Sequence, residues 1–195
     1  MTTTCRFSAF LLALLLAACD GSPKFRGTDL TGADYGRVLA LTGHDGKPRT
    51  LEDFRGKAVV LFFGYTRCPD ICPTTLADMS VAMKALGKDA DRVQVLFVTL
   101  DPARDTADVL SKYVPAFDPR FLGLYGDEEA TRRTAKEFKI FYEKVEGGAP
   151  GAYTVNHSAQ SYVFDTKGRL RLFERHDRLG EDLPPDLKAL LKEAG

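Results

Sequence analysis

The sequence has no excess of charge of either sign. Lys and Arg together number 27, and Asp and Glu together also number 27, in a chain of 195 residues. Proteins that bind nucleic acid or an acidic partner by electrostatics carry a surplus of basic residues. We therefore expect no nucleic-acid partner. The length predicts one domain with a sizeable core.

The chain also lacks an apolar run long enough to span a membrane as a mature helix. Residues 7–18 form a shorter apolar run behind Arg6, which is typical of the core of a signal peptide. The run ends in the sequence LAAC, residues 16–19, which resembles a bacterial lipobox. In such proteins, cleavage leaves the cysteine first and lipid-modified. The alternative is an ordinary secretory signal in which Cys19 happens to follow small residues.

This motif divides the chain into three parts. We predict a lipoprotein signal peptide over residues 1–18, a lipidated Cys19 with its tether over residues 19–27, and a folded domain over residues 28–195. Asp20 directly follows the lipidated position and resembles a signal for retention in the inner membrane. The predicted location is therefore the periplasmic face of the inner membrane, with the lipid as anchor.

Cysteine is scarce, and the mature domain keeps little of it. Of the four cysteines, Cys5 leaves with the signal peptide and Cys19 carries the lipid, so only Cys68 and Cys72 remain. Two cysteines are too few for a disulfide scaffold. In an oxidising compartment, the pair is compatible with a disulfide, a redox couple or a metal site.

The two remaining cysteines lie in the stretch around which the chain is organised. Residues 58–63 form a continuous apolar run, typical of a parallel strand that is covered on both faces. Gly64 ends the run, and a helix is predicted over residues 73–86. The cysteines thus lie between a strand and a helix N-terminus. The unpaired N–H groups there stabilise a thiolate.

The rest of the chain alternates between strand and helix patterns. This alternation predicts an α/β fold with a central mixed sheet flanked by helices, and with hairpins near both ends of the domain. Further strands are predicted at residues 93–100, 121–125, 159–165 and 170–174, and further helices at residues 105–115, 127–140 and 184–194. Met79 and Met83 fall on the apolar stripe of the helix over residues 73–86, so we interpret them as core residues rather than copper ligands.

The spacing of Cys68 and Cys72 allows both sulfurs to point the same way. Two thiolates favour Cu(I) or Zn(II), and structural zinc normally needs four protein ligands. A third ligand would come from one of the three histidines. We interpret His44 as a solvated turn residue and His176 as a surface neighbour of charged residues. His157 follows a glycine-rich loop and is the preferred candidate.

Two aspartates also lie near the predicted site. Asp101 ends the strand over residues 93–100, at the sheet edge where Cys68 is expected, and ligand sites in open α/β sheets lie at that edge. It is equally compatible with a turn aspartate before proline. Asp70 lies between the cysteines, where it could tune a metal or stay solvated.

Four segments together resemble the Sco/SenC family, whose copper-binding proteins help to assemble the binuclear CuA centre of cytochrome c oxidase. They are residues 27–36 (GTDLTGADYG), 63–73 (FGYTRCPDICP), 99–106 (TLDPARDT) and 155–157 (VNH). The resemblance implies a thioredoxin-like fold and copper ligation by Cys68, Cys72 and His157, with Asp101 as a modulator. The family usually has aspartate before the histidine, where this chain has Asn156, which removes a carboxylate that could orient His157.

Two functions follow from these observations. We favour a membrane-tethered periplasmic metallochaperone, not an enzyme, that carries Cu(I) or Cu(II) to subunit II of cytochrome c oxidase. Its other partners would be a periplasmic thiol reductant or a copper donor. The alternative is a thiol–disulfide oxidoreductase that reduces the cysteines of the acceptor through Cys68 and Cys72. Thioredoxin-like redox enzymes place a cis-proline where this chain has His157, and its absence favours metal binding. A peroxidase and an inert structural disulfide are the weaker alternatives.

Overall fold

The structure is a computed structural model, and it describes residues 24–148 and 152–193. The predicted signal peptide, Cys19 and the tether up to residue 23 lie outside the described residues. Among the residues that the structure does describe, no helix is long and apolar enough to cross a membrane.

Strands and helices alternate along the described chain, as predicted. They are β1 (Thr28–Asp29), β2 (Ala40–Gly43), β3 (Pro48–Thr50), β4 (Ala58–Gly64), α1 (Ile71–Leu86), β5 (Val93–Thr99), α2 (Ala107–Tyr113), β6 (Leu122–Tyr125), α3 (Glu128–Glu137), β7 (Tyr142–Glu146), β8 (Tyr153–His157), β9 (Ser161–Phe164), β10 (Leu170–Glu174) and α4 (Leu179–Glu193).

Eight of these strands form one mixed sheet in the order β1-β10-β9-β4-β5-β6-β2-β3. Strands β4, β5 and β6 are parallel neighbours, and the remaining pairs are antiparallel. Every residue of β4 is buried, which explains its continuous apolar sequence. The predicted mixed sheet is confirmed, and so are the hairpins β2–β3 near the start of the domain and β9–β10 near its end.

Helix α1 packs its apolar stripe into the core, as the sequence predicted. Leu76, Met79, Met83 and Leu86 are all buried, so both methionines are core residues. The helix begins at Ile71, earlier than the predicted residue 73. Cys72 therefore lies within its first turn, and Pro73 is tolerated there because its missing N–H would have no partner within the helix.

The last helix also begins earlier than predicted. It starts at Leu179 rather than at residue 184, so Pro184 and Pro185 lie inside it. Proline removes a backbone hydrogen bond from a helix. The buried side chains of Leu179, Leu183 and Leu187 recur at helical spacing, and their burial in the core compensates for that loss.

The segment that carries His157 forms a separate structure. We predicted residues 153–158 as a lead into a strand over residues 159–165. The structure makes it a strand of its own, β8, which pairs with β7 in a second, two-stranded sheet. Strand β9 starts only at Ser161 and belongs to the main sheet. His157 therefore stands at the end of a hairpin that is not part of the main sheet.

Candidate metal centre

The main sheet delivers the cysteine pair at the carboxyl end of β4. Cys68 closes a tight turn, in which its backbone N–H donates to the carbonyl of Tyr65 at 3.2 Å. Cys72 is fully buried in the first turn of α1, whereas Cys68 is half-buried. A Cβ atom at Gly64 would lie 2.8 Å from the sulfur of Cys72, so only glycine leaves room for that sulfur.

The hairpin β7–β8 delivers His157 to the same place. The Nε2 atom of His157 lies 3.4 Å from the sulfur of Cys72. The Nδ1 atom donates to the carbonyl of Ser158 at 2.8 Å, which fixes the proton on Nδ1 and leaves the Nε2 lone pair facing the sulfur. The rings of Phe62 and Tyr65 pack edge-on against the imidazole and hold its plane.

The ligand atoms of Cys68, Cys72 and His157 all lie within 4.8 Å of one another. Over residues 24–148 and 152–193, this is the one such group of His, Cys, Asp or Glu side chains that could hold a metal ion. Cys68 and His157 line a surface cleft of about 450 Å³, and Cys72 does not. A metal ion at this group would therefore meet a partner from the side of Cys68 and His157.

The two sulfurs differ in pKa. A hydrogen bond from the Cys72 thiol, supported by backbone N–H groups, lowers the pKa of Cys68 to about 5. The shared proton and burial raise the pKa of Cys72. At neutral pH, Cys68 is therefore a thiolate and Cys72 a thiol. The accessible sulfur is the better nucleophile and the first metal ligand to be ready.

A buried aspartate holds the start of the cysteine turn. Asp105 has no solvent exposure, and its carboxylate accepts from the backbone N–H of Thr66 at 2.9 Å and from the Thr66 hydroxyl at 2.6 Å. The hydroxyl of Thr99 donates a third hydrogen bond at 2.6 Å. The sequence pattern predicts Asp105 only as the start of a helix. Its position five residues after the predicted strand over residues 93–100, which ends beside the cysteines, is the feature of the sequence that could have indicated a role near the site.

A second buried aspartate holds the histidine hairpin. Asp101 is fully buried and accepts from the hydroxyl of Tyr153 at 2.6 Å and from the guanidinium of Arg104. Arg104 also donates to the carbonyl of Tyr153 at 2.9 Å and lies over the Tyr153 ring. We call Asp101, Arg104 and Tyr153 the clasp. Asp101 thus lies at the predicted sheet edge, where its observed contacts are with β8 and Arg104.

The other candidates from the sequence do not belong to the ligand group, although Asp70 and Asn156 line the same cleft. His44 lies in a turn, as predicted, but it is half-buried rather than solvated: its Nδ1 accepts from the backbone N–H of Gly123 at 3.0 Å, and burial lowers its pKa. His176 is exposed, as predicted. Asp70 is exposed at the start of α1 and makes no side-chain cap. Asn156 is exposed on β8, opposite Glu143.

The donor set fits a soft metal ion. Two sulfurs and one imidazole nitrogen suit Cu(I), whereas a structural zinc site normally has four protein ligands. Among the residues with described positions, no fourth such side chain joins the three.

A family model described as SCO1/SenC matches residues 27–192. The chain belongs to the SCO1/SenC family.

Solved structures of this family resemble the chain over most of its length. Apo Sco1 from Thermus thermophilus is 44% identical with a TM-score of 0.77, and the match covers 86% of this chain and 97% of that one. Bradyrhizobium japonicum ScoI with copper bound is 37% identical with a TM-score of 0.72, and the match covers 78% and 97%. These likenesses confirm the predicted thioredoxin-like fold.

Curated relatives are longer than the matched part of this chain. The SCO2-like protein of Rickettsia felis is 35% identical over 135 residues, which make up 69% of this chain and 66% of that protein. The chain spans about two thirds or less of the length of the curated relatives it matches.

Proposed function

We propose that this SCO1/SenC protein is a copper metallochaperone that binds copper through Cys68, Cys72 and His157. The observation that carries the proposal is the convergence of two sulfurs and one imidazole nitrogen within 4.8 Å, delivered by two separate parts of the fold. A similar protein from Bradyrhizobium japonicum has been solved with copper bound, which supports copper as the metal.

The two sulfurs would enter copper coordination in different protonation states. Cys68 offers a thiolate at neutral pH, and Cys72 must release its proton when the metal arrives. His157 presents its Nε2 lone pair without rearrangement, because Nδ1 already donates to Ser158. Copper would leave by stepwise ligand exchange on the side of the cleft, where an incoming soft ligand reaches Cys68 and His157 before Cys72.

We propose that the acceptor is the CuA site of cytochrome c oxidase subunit II, a role supported by the family and by the soft-ligand chemistry of the site. The lipobox at residues 16–19 supports lipid attachment through Cys19, with the domain at the periplasmic face of the inner membrane. A copper donor or a periplasmic thiol reductant would complete the cycle, because both sulfurs must be reduced before loading.

The test is an anaerobic Cu(I) titration against a competing chelator. We would use the reduced chain beginning at Asp20, with Cys68→Ala, Cys72→Ala and His157→Ala beside it. His176→Ala is the matched control, because it removes an exposed histidine outside the site. We expect one tight equivalent that is weakened by the first three substitutions and unchanged by the control. Unaltered affinity in the His157→Ala variant would rule out the three-ligand site.

A second function is favoured by a specific observation, the low pKa of an accessible Cys68 beside a buried Cys72 thiol. The Cys68 thiolate would attack a disulfide of the acceptor, forming a mixed disulfide and expelling one acceptor thiolate. Cys72 would lose its proton and attack the Cys68 sulfur, which releases the second acceptor thiolate and leaves a Cys68–Cys72 disulfide. Two electrons pass to the acceptor, and a periplasmic dithiol would restore the pair.

Disulfide exchange with an oxidised acceptor peptide distinguishes the two functions. Rapid reduction of the peptide by the copper-free chain, together with weak Cu(I) binding, would assign the protein to the oxidoreductases. Tight Cu(I) binding with slow exchange would leave the metallochaperone as its function.

A further inference from the structure

One turn contacts both halves of the candidate metal centre. It lies between β5 and α2, at residues 101–106, and it contains the two fully buried aspartates, Asp101 and Asp105. The backbone N–H groups of Arg104 and Asp105 both donate to the carbonyl of Asp101, at 3.1 Å and 2.9 Å. The two carboxylates therefore belong to one compact unit and cannot easily move apart.

The Asp105 carboxylate acts on the cysteine half. Its three hydrogen bonds come from neutral donors on Thr66 and Thr99, with lengths of 2.6 to 2.9 Å. A carboxylate without solvent is stabilised by such a complete set of donors. Thr66 lies two residues before Cys68, inside the turn that Cys68 closes onto Tyr65. Asp105 thus ties the cysteine turn to the end of β5.

Cys72 has its own support. It lies in α1, and its sulfur lies against the backbone at Gly64. Cys68 is half-buried in the preceding turn, and its sulfur accepts a hydrogen bond from the Cys72 N–H at 3.4 Å. Loss of the Asp105 contacts would therefore displace Cys68 relative to Cys72, and it would leave Cys72 in place.

The same turn reaches the histidine half through the clasp. Asp101 and Arg104 hold Tyr153, which begins the strand that ends at His157. The turn at residues 101–106 therefore connects the Cys68 turn to the His157 strand without passing through the metal site.

We propose that this turn is a brace that sets the separation of Cys68 from the other two ligand atoms, with Asp105 as the positioning residue of its cysteine arm. The inference deepens the proposed copper site. It states which buried group places the accessible sulfur, and it does not require that copper be the metal.

The test compares Asp105→Asn with Asp165→Asn in the chain beginning at Asp20, in which Cys68 and Cys72 are the only cysteines. Asn has the shape of Asp but cannot accept three hydrogen bonds from donors in this arrangement. Asp165 is the matched control, because it is also buried and accepts hydrogen bonds from Lys167 and Arg169, but it follows β9 beside the start of β4, at the end of that strand opposite to the cysteines.

Two readouts follow the position of Cys68. The first is the yield of cross-linking by dibromobimane in the copper-free, reduced chain, since this reagent becomes fluorescent only when it joins two thiols. The second is Cu(I) affinity. We expect the Asp105→Asn variant to lose most of the cross-linked product and to bind Cu(I) about 10- to 100-fold more weakly, the range seen when a partner of a metal ligand is removed. The Asp165→Asn variant should match the natural chain in both readouts, even if its melting temperature falls as far.

A second pair of variants keeps the test decisive if Asp105→Asn does not fold. Thr66→Val removes the hydroxyl donor and keeps the side-chain shape, whereas Thr66→Ser keeps the hydroxyl. We expect the valine variant to lose cross-linking and the serine variant to retain it. Natural cross-linking in Asp105→Asn or in Thr66→Val would overturn the proposal. Failure of the natural chain to bind Cu(I) would overturn the proposed function, and the cross-linking would still decide the role of Asp105.

Discussion

The two halves of the candidate metal centre are built in different ways. The cysteine half rests on β4, in which every residue is buried, and on α1, whose apolar stripe fills the core. The histidine half rests on β7 and β8, in which Val155 is the one buried residue. Apolar packing therefore positions Cys72 and the strand that leads into the cysteine turn, whereas polar contacts with the clasp position the histidine.

This difference indicates how each half should fail. Close-packed regions respond to small changes in volume, because their neighbours cannot move aside. A hairpin held by hydrogen bonds responds instead to the loss of a donor or acceptor. Substitutions that change volume should therefore damage the cysteine half through Cys72, and isosteric polar substitutions should damage the histidine half and, at Asp105, the position of Cys68. The following predictions are ordered by their expected effect on copper affinity.

The largest effect is expected from Gly64→Ala. The added Cβ would lie 2.8 Å from the Cys72 sulfur and 2.9 Å from the Phe97 ring, so the sulfur must move. We expect Cu(I) affinity to fall by about 100-fold and the free energy of unfolding to fall by about 1–3 kcal/mol. Chelator competition and chemical denaturation measure the two quantities.

Gly180→Ala provides the control for this prediction. Gly180 lies in α4, and the atom nearest to its added Cβ is 3.6 Å away on Asp78, an ordinary contact. The control should keep natural copper affinity. If Gly64→Ala also kept it, the packing of Cys72 against β4 would not determine the site geometry.

The same difference explains what the sequence could predict. The cysteine half is local, since a continuous apolar strand, a glycine and a helix start follow one another along the chain. Those signals were sufficient to place Cys68 and Cys72 at the end of β4. The register of the sheet and the role of Asp105 depend on partners distant in sequence, and they became visible only in the folded chain.

The histidine half was predicted in part. His157 lies beside the cysteines, and the sequence favoured it over the other two histidines by its position after a glycine-rich loop and by resemblance to the family. Its strand was missed, because pairing of β7 with β8 and the clasp around Tyr153 are contacts that no local pattern encodes. The role of Asp101 in holding Tyr153 is of the same kind, since the sequence suggested only a modulator of the metal.

Arg104→Gln is expected to have the next largest effect. It removes the guanidinium that joins Asp101 to the carbonyl and ring of Tyr153. We expect Cu(I) affinity to fall by about 10-fold or more, because His157 would lose its fixed distance from Cys72. Arg104→Lys should restore part of the affinity, since it keeps the charge beside Asp101 but not the planar contact with the ring.

Cross-linking of the cysteines shows whether the Arg104→Gln substitution affects the cysteine half as well as the histidine half. The Arg104→Gln variant should give natural yields of dibromobimane cross-link between Cys68 and Cys72, although its copper affinity is reduced. A joint loss of cross-linking and affinity would show that Arg104 positions Cys68 as well as His157.

Tyr153→Phe should have a smaller effect of the same kind. It removes one hydroxyl, whose hydrogen bond to Asp101 is 2.6 Å long, and it keeps the ring under Arg104. Burial and this hydrogen bond raise the pKa of Tyr153 to about 12, so the hydroxyl is a neutral donor over the working range. One such bond is worth about 1 kcal/mol, which corresponds to about a fivefold loss of affinity. Tyr142→Phe, on the partner strand of the same hairpin, is the control and should bind Cu(I) normally.

The smallest effect on Cu(I) affinity is expected from Glu174→Gln, which changes a buried residue of β10, outside both halves of the candidate metal centre. Glu174 is 1% exposed on β10, and burial together with Asp186 and Asp182 raises its pKa from 4.5 to about 8. Between pH 4.5 and about 8, the folded chain therefore keeps a proton on Glu174 that the unfolded chain has released. Since the folded state holds more protons, the free energy of unfolding decreases as pH rises from about 4.5 to about 8.

The decrease is at most roughly 5 kcal/mol, at about 1.4 kcal/mol for each unit of pKa. Gln cannot ionise, so the Glu174→Gln variant should lose this slope and should be more stable than the natural chain at pH 8, with unchanged Cu(I) affinity. Denaturation at pH 5, 6.5 and 8 measures the slope. An unchanged slope would mean that Glu174 does not hold the proton. A fall in copper affinity would mean that β10 and α4 also help to position the ligands, in addition to the supports of the two halves.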